Sequence, residues 1–181
     1  MRLVRLDTVD STMLEARRRM DAGEALPFTV VAAAQSGGVG RLGRRWSSPR
    51  GGWWLTVAAA LVSNRRTLRG DTTLSVALAV HGACSGALAS CGADASCLRI
   101  KWPNDVMAGD LKLAGILTEV VVHEGRPVAL FGIGVNADVE PHALDEGVRQ
   151  RAATLRELVR APLPAPLTDG VLERLSDGCL E

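Results

Sequence analysis

A glycine-rich loop that carries three arginines constrains this chain more than any other stretch. The loop runs from Gln35 to Trp46 with the sequence QSGGVGRLGRRW, and it lies between two apolar runs, residues 28–34 and 53–58. Both runs are typical of buried strands. Glycine lets a backbone turn sharply and point its N–H groups at a ligand, and the guanidinium group of arginine pairs with phosphate oxygens. The loop therefore predicts an anion-binding connection between two strands, which orders around its ligand.

The loop also contains the pattern G-x-G-x-x-G, from Gly38 to Gly43. In a dinucleotide-binding fold this pattern opens a helix whose N-terminus receives the pyrophosphate. Residues 46–52 read WSSPRGG, which does not form such a helix, and the lysine and hydroxyl that end a P-loop are missing. The sequence therefore argues against both kinds of nucleotide site.

Composition and charge limit the classes of partner. The 181 residues carry 21 basic and 20 acidic side chains, a net charge of +1, which argues against an extended surface for nucleic acid or anionic lipid. The N-terminus has no apolar segment of a secretory signal, and apolar runs such as 57–62 and 76–80 are too short to span a bilayer. We expect one domain, a cytoplasmic location, and neither DNA nor a membrane as a partner.

The four cysteines form no C-x-x-C pair and do not alternate with histidines. This argues against a zinc site and against a disulfide framework. We expect Cys84, Cys91, Cys97 and Cys179 to be buried free thiols.

Periodicity along the first half predicts a strand, a helix and two more strands. A strand at residues 3–6 is followed by Asp10-Ser11-Thr12, which can start a helix that ends at Gly23. The predicted apolar face of this helix consists of Met13, Leu14, Ala16 and Met20. A long, mostly buried helix is predicted at residues 71–90, packed on the sheet.

The second half is predicted to be mainly strands. They lie at residues 98–102, 106–107, 111–122 and 128–135, and short turns join them. Because consecutive strands with short connections pair antiparallel, the predicted class is α+β, with a mixed, largely antiparallel sheet flanked by helices. Helical patterns return at residues 149–160 and around 171–175.

Three further motifs carry candidate functional residues. Lys101-Trp102-Pro103-Asn104-Asp105 ends a strand at a proline, which leaves Lys101 placed to point into a cleft, while the turn residues by themselves satisfy nearby backbone. The segments KLAGILTE at 112–119 and GIGVN at 132–136 place glycines inside strands, where a ligand or another backbone can approach closely.

In this order and spacing, the four motifs and the Asp-Ser-Thr sequence resemble the catalytic domain of biotin protein ligases, over about residues 10–136. The resemblance implies a biotin–acetyl-CoA-carboxylase ligase of the biotin/lipoate ligase superfamily. Such an enzyme activates biotin with ATP and Mg²⁺ to biotinyl-5′-AMP and transfers biotin to a lysine of a biotin carboxyl carrier protein. It needs no covalent nucleophile, in agreement with the lack of a visible catalytic partner for His81, His123 or His142.

The resemblance also implies a role for individual residues. The implied biotin-binding residues are Ser11, Thr12, Gln35, Gly38, Lys101, Gly115 and Leu117. The implied residues for ATP and the adenylate are Arg41, Arg44, Trp46 and Asn136, with Asn136 at the nucleotide end. Lys101, Arg41 and Arg44 are the implied catalytic residues, which stabilise charge on the transferring phosphate. The resemblance identifies no magnesium ligand.

The chain departs from the family pattern in three places. Val39 stands where the family usually has the first loop arginine, which predicts looser retention of the adenylate. We expect a single catalytic domain at 1–181 with a helical tail at about 149–181, without the N-terminal helix-turn-helix or the small C-terminal barrel of other members. The resemblance leaves a homodimer open. Two alternatives also remain: a non-catalytic protein that binds biotin or biotinyl-AMP, and a lipoate or octanoyl transferase of the same superfamily.

Overall fold

The computed structural model describes residues 1–61, 70–164 and 170, and a seven-stranded sheet organises them. The strands are β1 Arg2–Val9, β2 Phe28–Gln35, β3 Trp53–Ala60, β4 Leu98–Lys101, β5 Asp105–Ala108, β6 Leu111–His123 and β7 Arg126–Val135. Their order across the sheet is β1-β2-β3-β7-β6-β5-β4. The long strands β6 and β7 therefore lie near the middle, where the site is built.

One pair of strands is parallel and the others are antiparallel. β1 pairs with β2 in parallel, through a connection that contains the helix α1, Thr12–Asp21. The pairs β2–β3, β3–β7, β7–β6, β6–β5 and β5–β4 are antiparallel. The predicted class, a mixed and largely antiparallel sheet flanked by helices, is confirmed.

Helices cover both faces of the sheet. α1 contacts β2, β3 and β7, whereas α2, Gly70–Ser90, contacts β4, β5 and β6. The larger apolar core lies under α2 and includes Leu55, Leu88 and Ile116; the smaller one lies under α1 and includes Phe28 and Leu130. The two helices therefore bury opposite faces of the sheet, because neighbouring strand residues such as Val30 and Val31 fall in different cores.

The α1 prediction is correct except for one side chain. Met13, Ala16 and Met20 are buried in the smaller core, as predicted. Leu14 is 46% exposed, because it lies one position outside the buried stripe.

The predicted helix at residues 149–160 is wrong as a single element. The structure has two short helices, α3 at Glu146–Arg149 and α4 at Leu155–Val159. Between them Ala152 forms an isolated parallel bridge with Lys112 at the start of β6. A capping box fixes the new helix start, because Thr154 accepts from the backbone N–H of Glu157 and the Glu157 carboxylate accepts from the N–H of Thr154. The amphipathic stretch predicted around 171–175 lies outside the described residues.

The apolar stretch of α2 is longer than the short apolar runs in the sequence predicted. Over Thr72–Ser90 its mean hydropathy is 1.4, so by length and composition it could cross a membrane, and 33% of that window is buried in the protein. The valine run is extended by alanine and glycine, which break no helix here. The buried residues Val76, Val80, Cys84 and Leu88 recur on one face and pack on the sheet, as predicted, but the prediction that the helix is mostly buried is wrong.

The cysteine prediction is correct for one thiol. Cys84 is buried, and burial raises its pKa to about 12. Cys91 is partly buried and Cys97 is exposed in the turn before β4, so the prediction is wrong for Cys97. Cys179 lies outside the described residues.

Candidate functional site

The glycine loop connects β2 to β3, and backbone contacts join its two arms. At its base the N–H of Gln35 donates to the carbonyl of Ser48 at 3.0 Å, and higher up Val39 and Arg45 form an antiparallel bridge. At its tip, residues 41–43 form a single 3₁₀ turn in which Leu42 has φ +61° and the following glycine +70°. The predicted connection between two strands is confirmed, and the loop opens no α-helix.

Two adjoining cavities open beside this loop. The smaller, of about 50 Å³, lies between the start of α1, Gln35, the loop and the glycines of β6 and β7. The larger, of about 600 Å³, lies between the loop arginines, the 101–105 turn, the start of β6 and α3. They share five lining residues, Gly40, Arg41, Trp46, Asn104 and Lys112, which therefore form the junction.

The indole of Trp46 is seated on glycines at the junction. A Cβ atom on Gly134 of β7 would lie 2.6 Å from the indole Nε1, and one on Gly115 of β6 would lie 3.1 Å from the ring. The Lys112 Nζ atom is 5.1 Å from the ring centroid, a cation–π geometry. The Nε1 atom is buried and has no hydrogen-bond partner among the described residues. Glycine is needed at both positions because any side chain would occupy the space that the indole ring fills.

A polar network joins the 101–105 turn to the loop and to β6. The Arg41 guanidinium donates to Asn104 Oδ1 at 2.8 Å, and the Asn104 amide donates to Asp105 Oδ1 at 3.0 Å. The same carboxylate oxygen is 2.7 Å from Lys112 Nζ. Asn104 and Asp105 therefore do more than satisfy nearby backbone: they hold two cations at the junction.

The end of the smaller cavity near the start of α1 is polar. The backbone N–H and the hydroxyl of Thr12 both donate to Gln35 Oε1, at 2.8 and 3.1 Å. The Gln35 amide donates to Ser48 Oγ at 2.9 Å. Ser11 is 3% exposed and lines the cavity, and its hydroxyl bonds to nothing in the described part of the chain. This end can hold the polar ring of a ligand.

The structure brings together ten of the eleven residues that the resemblance implied. Those lining the smaller cavity are Ser11, Thr12, Gln35, Gly115 and Leu117; those lining the larger are Lys101, Arg44 and Asn136; Arg41 and Trp46 line both. Gly38 lines neither cavity. A Cβ on it would lie 2.6 Å from the carbonyl of Trp46, so Gly38 shapes the loop backbone instead.

Asn136 supports backbone as well as lining the larger cavity. It is 3% exposed, and its amide donates to the carbonyls of Lys112 and Ala153 at 3.3 and 3.1 Å. Its side chain thereby joins β7 to the start of β6 and to the segment before α4.

Sequence reasoning missed Lys112. It lines both cavities, whereas Lys101 is exposed and lines only the larger one. The signal was present, because Lys112 begins the KLAGILTE motif, but its position at the junction depends on how β5 pairs with β6.

The acidic groups near the site do not form a metal cluster. Among the described residues, no three histidine, cysteine, aspartate or glutamate side chains lie close enough to hold a metal ion. Asp10, beside Ser11, is bonded to the Arg18 guanidinium and to the N–H of Ser11, and these contacts lower its pKa to about 2. Asp105 and Asp110 are the acidic side chains that line the larger cavity, and each is ion-paired, Asp105 with Lys112 and Asp110 with Arg99.

Comparison with known proteins identifies the family. The model of the Biotin/lipoate A/B protein ligase family matches residues 5–138. The chain belongs to this family. It is 34% identical over 137 residues to the biotin–[acetyl-CoA-carboxylase] ligase of Mycobacterium tuberculosis, which covers 75% of this chain and 49% of that protein. The chain spans about half the length of the curated relatives that it matches.

Solved structures share the fold. A biotin protein ligase from Leishmania major in complex with biotinyl-5-AMP superposes with a TM-score of 0.78 at 28% identity, over 99% of this chain and 75% of that one. A biotin protein ligase from Aquifex aeolicus in complex with biotin and ATP gives 0.75 at 27% identity, over 99% and 70%. Both comparisons extend across the cavities described above.

Proposed function

We propose that this protein is a biotin protein ligase, which converts biotin and ATP to biotinyl-5′-AMP and then transfers biotin to a lysine of a carrier protein. One observation carries the proposal: a small cavity with one polar end meets a larger cavity lined by arginines, and Lys112 lies where they join. This arrangement suits a small acid whose carboxylate must meet a nucleotide. The family relatives named for biotin support the same assignment.

The proposed first step takes place at the junction. The biotin ring lies at the polar end near Ser11 and Gln35, its tail passes over Gly115 and Leu117, and its carboxylate reaches Lys112. The carboxylate oxygen attacks the α-phosphorus of ATP, and the bond to pyrophosphate breaks. Lys112 and Arg41 stabilise the negative charge that develops on the phosphate oxygens, and the two cavities hold the reactants in contact.

The second step needs no covalent intermediate on the enzyme. A lysine amine of the acceptor attacks the biotinyl carbonyl, loses a proton, and displaces AMP. Trp46 and the loop shield the mixed anhydride from water until the acceptor arrives. The cavity of about 50 Å³ is smaller than ligand pockets usually are, so the indole must shift as biotin enters.

Magnesium fits this site only as the metal of the ATP substrate. Mg²⁺ commonly takes one or two carboxylates together with phosphates and water, and Asp105 could supply one of them. That carboxylate is paired with Lys112 in the structure, so binding the metal would release the lysine toward the phosphates.

A non-catalytic adenylate-binding protein is the second candidate. Val39 lines the smaller cavity and is 49% exposed, at the loop position where the family usually carries a cation. One fewer cation weakens the hold on the phosphates. This candidate predicts biotin binding without turnover.

Calorimetry with biotin, with and without ATP, combined with biotin-dependent ATP–pyrophosphate exchange, tests the proposal. A ligase binds biotin, exchanges pyrophosphate and biotinylates a carrier domain. Biotin binding without exchange supports the non-catalytic candidate. Binding of lipoate but not biotin supports the transferase alternative and contradicts the proposal.

We further propose a biotin carboxyl carrier protein as the acceptor and a cytoplasmic location. Names of relatives that include acetyl-CoA carboxylase support this class of acceptor. The lack of DNA binding and the homodimer stay predictions.

A further inference from the structure

We infer that Thr56, a buried threonine of β3 outside both cavities, is a positioning residue for the ligand: it fixes the Thr12 hydroxyl, which together with the Thr12 N–H holds Gln35 Oε1 in place. The inference rests on the proposed function, because it assigns a role within the biotin end of that site. Thr56 is 0% exposed, and its Oγ1 is 2.9 Å from Thr12 Oγ1.

The directions of these hydrogen bonds follow from one backbone group. The N–H of Thr12 lies 2.8 Å from the end of the Gln35 side chain, and because an N–H only donates, the atom there must be the oxygen Oε1. The Thr12 hydroxyl lies 3.1 Å from the same oxygen, so its single proton must point there too. Thr56 then has to donate to Thr12, because the Thr12 proton is already used.

The result is a chain of donors in one direction. It runs from the Thr56 hydroxyl to Thr12, to Gln35 Oε1, and then from Gln35 Nε2 to Ser48 Oγ at 2.9 Å. Ser48 in turn donates to the carbonyl of Trp46 at 3.3 Å. The buried strand β3 is thereby connected to the loop residue whose ring fills the junction.

This chain decides what Gln35 offers to a ligand. Oε1 already accepts two hydrogen bonds, which uses both of its lone pairs. Nε2 donates one hydrogen to Ser48 and keeps a second, and Gln35 lines the cavity. Gln35 therefore presents a donor, and the ligand must bring an acceptor, such as the carbonyl oxygen of a ureido ring.

Replacing Thr56 by valine removes the first donor while keeping the shape of the side chain. The Thr12 hydroxyl is then free to rotate, and the Gln35 amide loses a fixed partner. For Thr56→Val we expect the KM for biotin to rise roughly threefold to tenfold, the value of one hydrogen bond, with kcat and the KM for ATP within twofold of wild type. Thr56→Ser, which restores the hydroxyl, is expected to restore the KM.

A double-mutant cycle separates positioning from general packing. If Thr56 acts only through the Thr12 hydroxyl, adding Thr56→Val to Thr12→Val changes the biotin affinity no further. Thr29→Val is the matched control, because Thr29 is also a 0% exposed strand threonine but its hydroxyl bonds to Met1 outside this chain of donors. Thermal unfolding of each variant shows whether it folds, and Thr56→Ala serves if valine does not.

Three results would overturn the inference: wild-type biotin affinity in Thr56→Val, no recovery in Thr56→Ser, or additive losses in the double variant. The failure of the proposed function looks different, because wild-type protein would then bind no biotin at all in calorimetry.

Discussion

Lys112 shows how much a single side chain depends on its neighbours. Its ammonium contacts the Asp105 carboxylate and the face of Trp46, and its backbone carbonyl accepts from Asn136 and Ala153. These contacts fix both the backbone and the side chain of Lys112 at the junction. The sequence motifs contain most of the residues that line the cavities. They could not show which of Lys101 and Lys112 lies at the junction, because that depends on how β4, β5 and β6 pair.

A comparison of Lys112→Ala with Lys101→Ala tests which of the two lysines contributes more to adenylate formation. We expect Lys112→Ala to lower biotin-dependent pyrophosphate exchange by about a hundredfold or more, the scale of losing one group that stabilises the transition state. Lys101→Ala should lower it by about tenfold, because Lys101 is exposed and lines only the larger cavity. A larger loss in Lys101→Ala than in Lys112→Ala would restore the ranking that the sequence motifs suggested.

At the scale of elements, β6 and β7 act as a floor for the indole. The strands expose backbone where Gly115 and Gly134 lie side by side, since these two residues are paired in the antiparallel register. A strand with ordinary side chains at both positions could not receive a ring. The glycines therefore explain why the indole ring lies over these two strands and not over their neighbours.

Gly134→Ala tests this floor. The new methyl group would lie 2.6 Å from the indole Nε1, so the ring must move. We expect a shift in tryptophan fluorescence and at least tenfold weaker retention of biotinyl-AMP, because the ring no longer covers the junction. Gly82→Ala in α2 is the control: nothing lies within 4 Å of its new methyl group, and it should retain wild-type binding and gain up to about 1 kcal/mol of stability. Unchanged retention of biotinyl-AMP by Gly134→Ala would contradict this role of Gly134 beneath the indole ring.

The sequence predicted those helices and strands whose bounds are set by residues within the element or next to it. The strands were found because apolar runs end at glycine, proline or turn residues. The helix predicted at 149–160 failed because periodicity does not show that Thr154 and Glu157 pair to start a new helix, or that Ala152 pairs with Lys112 far away in sequence. Contacts of that kind depend on the assembled sheet.

At the scale of the whole molecule, acidity should lower the stability of the fold by weakening the ion pair between Asp10 and Arg18 at the start of α1. The Asp10 carboxylate binds Arg18, which contributes most to its low pKa, and its backbone carbonyl accepts from Gly37 at 2.7 Å. Folding lowers the pKa of this carboxyl from its ordinary value of 3.8 to about 2. Because the folded pKa is the lower one, its contribution is complete above about pH 4 and is lost as the pH falls toward 2.

Asp10→Asn should therefore flatten the pH dependence of the unfolding temperature between about pH 4 and pH 2. The change should be modest, because the carboxylate is exposed and solvent screens it. Asp110→Asn, a surface change at the β5–β6 turn far from α1, serves as the control. An Asp10→Asn profile parallel to wild type over this interval would contradict the assignment.

The bridge between Ala152 and Lys112 sets a limit on trimming or splitting the chain. The N–H of Lys112 donates to the carbonyl of Arg151 at 2.8 Å, and the N–H of Ala153 donates back to the carbonyl of Lys112 at 2.9 Å. Further on, the N–H of Leu163 donates to the Asp138 carboxylate at 3.0 Å. A variant truncated before residue 151 would lose these hydrogen bonds and release the backbone that carries Lys112. A shortened variant of this chain should therefore retain residues through 163.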